Sequence, residues 1–215
     1  MIAIAISGIA AGYGIGTTTP TSSQRITTTT TVTSAPSSSS APYVVTLVIT
    51  NGNLFNSTVG DQPAYYVLGS NGLQSSAQIS LPANQLIKLV IVDYDSGAAS
   101  LIEPKYVNVT GVLDNSIAVV NDSVVNSTQG QSGIQIGGVE NLTSLPADVI
   151  SHTFTIPSLG INIPVAGLST EVAYFTIKTA GTYLWFCMTE CGSGANGLGG
   201  AMSAPGWMSG SVVAR

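Results

Sequence analysis

The chain has 215 residues, and five Lys or Arg against ten Asp or Glu leave a formal charge of −5. Charged residues are 7% of it, where an ordinary soluble domain carries about 25%. Five cations cannot neutralise a run of phosphates, which excludes nucleic-acid binding. An apolar content of 44% excludes a wholly disordered chain. No run of about 18 apolar residues follows the N-terminus, which excludes a polytopic membrane protein. A chain with so few titrating groups has little stability to lose in acid, and this composition fits acid surroundings outside a cell. Five Asn-x-Ser/Thr sequons, at Asn56, Asn108, Asn121, Asn126 and Asn141, predict N-glycosylation, which serves solubility where charge is scarce.

Residues 1–16 read MIAIAISGIAAGYGIG, uncharged and apolar. They are expected to form a helical membrane anchor, a signal remnant, or a buried or assembly-forming segment. Residues 17–42 are almost all Thr, Ser and Pro, a composition that buries no core and predicts an extended linker. An apolar end, a polar stalk and a globular domain describe a protein held at the extracellular face of a membrane or at the cell surface. A homo-oligomer remains open.

From Tyr43 onward the apolar runs are short and β-branched. Tyr43–Thr50, Leu86–Tyr94, Tyr106–Val112, Ser116–Val120, His152–Ile156, Val172–Ile177 and Thr182–Cys187 are predicted strands, with Gly, Pro, Asn or Asp between them. Many short strands with regular turn signals predict an all-β sandwich over 43–215. The stretch 98–147 breaks the pattern and carries four of the five sequons, so it is expected to be a glycosylated surface insertion with strands of its own.

The chemistry-bearing residues are few. His152 is the only histidine, and both cysteines lie in Cys187-Met-Thr-Glu-Cys191. Thiolates and thioethers are soft ligands suited to copper, and imidazole suits it in both oxidation states. A loop at one end of a sandwich can bring Cys187, Cys191 and Met208 towards His152, with the Thr189 carbonyl between the thiols. Met202 sits in a Gly-rich loop that does not fix its position. Asp93 and Asp95 alternate onto one face of a strand end, which suits a turn as well as a site. No GxSxG elbow accompanies His152, and no phosphate-binding glycine motif opens a helix, so the chain is not expected to be a catalyst by itself.

Five pieces resemble the cupredoxin domain, and most closely the copper domain of haem–copper oxidase subunit II, with archaeal sulfocyanin-type proteins near it. They are Ile79–Gly97 (ISLPANQLIKLVIVDYDSG), Asp148–Gly160 (DVISHTFTIPSLG, with one extra residue before the His), Thr179–Cys187 (TAGTYLWFC), Cys187–Gly192 (CMTECG) and Met208–Val213 (MSGSVV). The resemblance implies a Greek-key β-sandwich and copper bound by His152, Cys187, Cys191 and Met208 or Met202. It also implies one-electron transfer with a respiratory oxidase or other redox partner. The chain departs from the family at one place: where a second His stands three residues before the last Met, this sequence has Pro205. An ordinary two-His centre cannot form from this chain alone. Three readings stay open: a degenerate CuA or blue centre, a soft thiolate–thioether site for Cu(I), and a metal-free structural or filament subunit with a Cys187–Cys191 disulfide.

Overall fold

A computed structural model describes residues 40–55, 60, 62–126, 132–191 and 199–215, with backbone alone over 121–126 and 132–137. The apolar N-terminal segment with its expected helix, the linker up to residue 39, and Asn56 lie outside the described residues. Twelve strands are present among the described residues: β1 Tyr43–Thr50, β2 Ala64–Gly69, β3 Gly72–Ser75, β4 Gln78–Leu81, β5 Ile87–Asp93, β6 Ile117–Asn126, β7 Ser132–Leu142, β8 Ile150–Ile156, β9 Ile161–Ala166, β10 Ser169–Phe175, β11 Gly181–Phe186 and β12 Ser209–Ala214. They form one sheet in the order β3-β2-β1-β5-β10-β6-β7 and a second in the order β4-β12-β11-β8-β9. The β1–β5 and β4–β12 pairs are parallel, and the other pairs are antiparallel. This two-layer sandwich is the all-β class expected from the sequence. Among the described residues no helix is long and apolar enough to cross a membrane.

Period-two alternation decides which face goes inside. In β5, Ile87, Leu89, Ile91 and Asp93 are buried and the residues between them are half-buried. All seven residues of β8 are buried, which alternation alone does not produce. The second face of β8 and β9 is covered by the segment after Asp95. Ala99 donates its N–H to the Ile150 carbonyl, Thr110 bridges to Asn162, and the Asn162 amide donates to the Tyr106 and Asn108 carbonyls. Strand β9 carries Pro164, tolerated because β9 is an edge strand whose free side needs no ladder donor.

The expected strand over Tyr106–Val112 is not one. Pro104 opens a 3-10 turn through Val107, and only single bridges at Asn108 and Thr110 follow. Pro104 sets φ for the first helical position, and Val109 and Val112 then anchor the tract by burial instead of pairing. Strands β6 and β7, within the expected insertion, form a hairpin that extends the seven-stranded sheet beside β10.

The core centres on Tyr65, Phe154 and Trp185. Ring centroids lie 5.1 Å apart for Tyr65–Trp185 and 5.5 Å for Phe154–Trp185, in edge-on and tilted contacts worth about 0.5–1.5 kcal/mol beyond area. The Trp185 indole donates to the Ser76 carbonyl at 3.2 Å. Gly210 makes this possible: a Cβ there would stand 2.6 Å from the indole nitrogen.

One core position is polar. Glu171 on β10 is fully buried, with Oε1 accepting from the Ala166 N–H (2.9 Å) and the Ser169 hydroxyl (2.5 Å). Its Oε2 has no hydrogen-bond partner among the described residues. Burial pushes its carboxyl from 4.5 up to about 8.

Two predictions arise here. Trp185→Ala should cost about 3–5 kcal/mol of stability, whereas Leu184→Ala on the exposed face of the same strand should stay within about 0.5 kcal/mol; chemical denaturation of both variants checks this contrast. Because the folded carboxyl of Glu171 titrates above its unfolded value, its stabilisation is complete below pH 4.5 and lost as pH rises through about 8. Stability should therefore fall from pH 5 to pH 9, with an upper bound of about 4–5 kcal/mol from this group. Glu171→Gln should flatten that part of the profile.

Candidate metal centre

Three elements converge at one end of the sandwich. Strand β8 carries His152, Cys187 directly follows β11, and the loop after it carries Thr189 and Cys191. The β8–β9 register shifts between Ile150 and His152, so two steps on β8 face one on β9. This bulge leaves one residue of β8 unpaired and re-aims the strand end. Ser151, the bulged residue, turns its hydroxyl to the Asp93 carboxylate and to the Val165 carbonyl (3.3 Å). His152 lies edge-on to Tyr65, 6.2 Å between ring centroids.

His152 Nδ1, Cys187 Sγ and Cys191 Sγ lie within 4.8 Å of one another, and all three residues are buried. The Cys187 sulfur stands 3.9 Å from Nδ1, 3.1 Å from the Cys191 sulfur and 3.2 Å from the Thr189 hydroxyl. It also accepts the Thr153 N–H at 3.3 Å. Both cysteines are free thiols. Met202, in the 3-10 turn Gly200–Ser203, brings its thioether 3.5 Å from the Cys191 sulfur. Met208 is fully buried beside the site, and its carbonyl accepts the Cys187 N–H at 2.8 Å. The structure thus gathers His152, Cys187, Cys191 and Met202 through their side chains and places Met208 next to them through its backbone.

On the other side of the ring, His152 Nε2 meets the Asp95 carboxylate at 3.1 Å. A carboxylate accepts only, so Nε2 carries the proton and Nδ1 faces the sulfurs. Asp95 is fixed in turn by the Gly97 N–H at 3.1 Å, and its own N–H is taken by Asp93 at 2.8 Å. The Thr189 hydroxyl donates to the Ser151 carbonyl at 2.9 Å, which ties the Cys loop to the His strand. In the sequence Asp93 and Asp95 read equally well as turn residues, and nothing there marks Ser151 or the Thr189 hydroxyl. The alternation of the two aspartates is the one available signal.

The electrostatics follow from burial and these partners. Burial alone would keep the Cys187 thiol protonated, but hydrogen bonds from Cys191 and His152, the His152 charge and Thr189 hold it well below the usual thiol range. Cys191 is pushed far up, by its hydrogen bond to Cys187 first and by burial second. Burial also works against a charged imidazole, yet the hydrogen bonds to Asp95 and Cys187 outweigh it and raise His152 to about 10. Asp95 is held low, chiefly by His152, while burial raises Asp93 to about 6. Without metal these contacts pull Cys187 towards the thiolate and His152 towards the imidazolium, and keep the Cys191 thiol protonated.

Within the same loop, Met188 is half-buried and gives its N–H to the Thr153 hydroxyl, and Glu190 is exposed. Trp185 and Trp207 are buried packing residues. Asn108 and Asn141 are exposed, while the side chains of Asn121 and Asn126 lie outside the described set.

No family model matches the chain, and no curated protein matches it. Among solved structures it is similar to auracyanin B, with a TM-score of 0.36 and 13% identity over 82% of this chain and 91% of that one. It is also similar to the periplasmic domain of subunit II of cytochrome oxidase of Bradyrhizobium japonicum, with a TM-score of 0.36 and 10% identity over 82% and 86% of the two chains. A third similar structure is rusticyanin from Thiobacillus ferrooxidans, with a TM-score of 0.30 and 14% identity over 81% and 79%.

Proposed function

We propose that this chain is an extracytoplasmic, membrane-tethered copper protein of cupredoxin type that passes single electrons to or from a respiratory oxidase or another redox partner. One observation carries the reading: an imidazole nitrogen and two sulfurs lie within 4.8 Å of one another in a buried pocket. The donor set fits copper, since two thiols, a thioether and an imidazole are soft or borderline ligands. His152 Nδ1, Cys187 Sγ, Cys191 Sγ and Met202 Sδ would hold the ion. Copper, when bound, supplies a one-electron couple.

The chain's own residues do the rest. Asp95 holds the His152 ring by Nε2 and leaves Nδ1 as the ligating atom. The Thr153 N–H fixes the Cys187 sulfur, and the Thr189 hydroxyl ties the loop to the Ser151 carbonyl. Tyr65, Phe154 and Trp185 form a rigid aromatic wall that limits rearrangement and excludes water. Tethering rests on the apolar segment and linker, and the extracytoplasmic placing rests on the sequons and the scarcity of charge.

The test is metal analysis and a visible spectrum of the reduced, purified protein after loading with Cu(I) and, separately, with Cu(II). Retained copper with a thiolate charge-transfer band on oxidation is the expected result. Cys187→Ser should abolish both, and Asp95→Asn should weaken copper retention about 10–100-fold. A protein that retains no copper from either loading overturns the proposal.

A second reading has its own observation. The two sulfurs are 3.1 Å apart, and closure to about 2.05 Å would make a disulfide. In that case the domain is a metal-free cell-surface or filament subunit, with the apolar N-terminus serving assembly. Thiol labelling of native material separates the two: thiols that label only after reduction, in protein without bound metal, favour the disulfide.

A further inference from the structure

We infer that Asn108 is an N-glycosylation site whose first sugar is seated in the cleft beside it, so that the glycan forms part of the fold's surface. Five sequons are indistinguishable in the sequence, but the structure separates them. Asn108 is exposed and lines a cavity of about 320 Å³ on the outer side of β8–β9. That volume lies at the small end of ligand-sized pockets. Asn141, the other sequon with a described side chain, is also exposed and does not line this cleft.

The cleft is built before any ligand arrives. Asn162 and Thr155, both more than nine-tenths buried, form its floor, and the Thr155 hydroxyl donates to the Asn162 side-chain carbonyl at 2.7 Å. Asn162 in turn donates to the Asn108 and Tyr106 carbonyls at 2.7 and 3.1 Å, which fixes the sequon backbone over the floor. The Thr110 hydroxyl, the third residue of the sequon, donates to the Gly160 carbonyl at 2.8 Å across the cleft. Val109 between them is buried and anchors the sequon in the core. Gly111 lets the two walls close, because a Cβ there would stand 2.6 Å from the Gly160 oxygen.

The lining chemistry suits a neutral polyhydroxy ligand. The Thr110, Thr155 and Asn162 oxygens keep unused lone pairs that accept sugar hydroxyls, no carboxylate lines the cleft, and its one cation, Lys105, is paired with Glu103 at 2.9 Å and lies 5.0 Å from the Tyr106 ring. Asn108 itself is pre-oriented, with Nδ2 donating to the Lys105 carbonyl at 3.2 Å. A primary amide has two N–H groups and a glycosylated one keeps one, so this hydrogen bond can survive modification. In the transfer, Asn108 Nδ2 bonds to C1 of a lipid-pyrophosphate-linked oligosaccharide. The C1–O bond breaks, the lipid pyrophosphate leaves with the bonding pair, and Nδ2 gives one proton to a base of the transferring enzyme. No oxidant or reductant enters.

The experiment maps glycopeptides of the full chain from its native source and compares thermal midpoints of wild type, Asn108→Gln and Asn141→Gln. The same variants are then made in a host that does not glycosylate. The expected result is occupancy at Asn108 and a midpoint about 2–4 °C lower for Asn108→Gln than for Asn141→Gln in the glycosylating source. In the other host wild type and Asn108→Gln should melt together. An unmodified Asn108 in native protein overturns the site. Equal midpoints for the two variants in the glycosylating source overturn the seat. So does a difference that persists without glycosylation, because it would belong to the Asn side chain alone. None of these readouts depends on copper, so failure here leaves the metal proposal standing.

Discussion

One end of the sandwich answers to one cost: His152 and Cys187, whose contacts pull them towards opposite charges, are taken out of water together. Either alone would be expensive to bury, and removing one partner from such a pair is usually worse than losing both. The surrounding structure consists largely of devices that make the pair tolerable. Asp95 meets the far side of the ring, the Thr153 N–H meets the sulfur, and the Cys191 thiol lies 3.1 Å from it. The bulge at Ser151 frees that residue to hold Asp93 while the strand continues into His152. Such an arrangement is dear for a structural purpose, since apolar residues of the same volume would pack as well.

Much of this is legible in the amino-acid order, and the limits have physical causes. Strand β1 stands at its expected bounds, and β5, β8 and β11 begin or end within one or two residues of theirs, because β-branched runs bounded by turn residues report local preference directly. The Tyr106–Val112 run carries the same signal and folds differently, because Pro104 and the burial of Val109 override alternation. Strand β9 is hidden by Pro164, whose meaning depends on edge position, a tertiary fact. His152 and the cysteine pair are visible as the sole soft-ligand inventory. Asp95 is visible only as a turn residue, because 57 residues separate it from His152 and no local rule spans such a distance.

The scarcity of charge changes meaning once the buried groups are placed. A surface with few carboxylates has little to lose in acid, as composition alone implies. Glu171 adds a second, independent contribution of the same sign from within the core, since a buried carboxyl is more comfortable protonated. Asp93, raised to about 6 by burial, acts the same way. Sparse surface charge and protonated interior acids therefore favour the same conditions, although one is read from counts and the other from packing.

For the proposed copper site, the presence of a single histidine bears on which ion the donors prefer. Pro205, at the position three before Met208, is exposed, so nothing at that point of the chain reaches the sulfurs. The longer loop instead folds Gly200–Ser203 inward, with the Met208 N–H bonded to the Ala201 carbonyl and Met202 against Cys191. In the proposed donor set a thioether therefore stands where a second imidazole would. Thioethers bind Cu(I) in preference to Cu(II). On the proposed reading, this favours the reduced ion. On that reading, copper held by one imidazole and a thioether should be a stronger oxidant than copper held by two imidazoles.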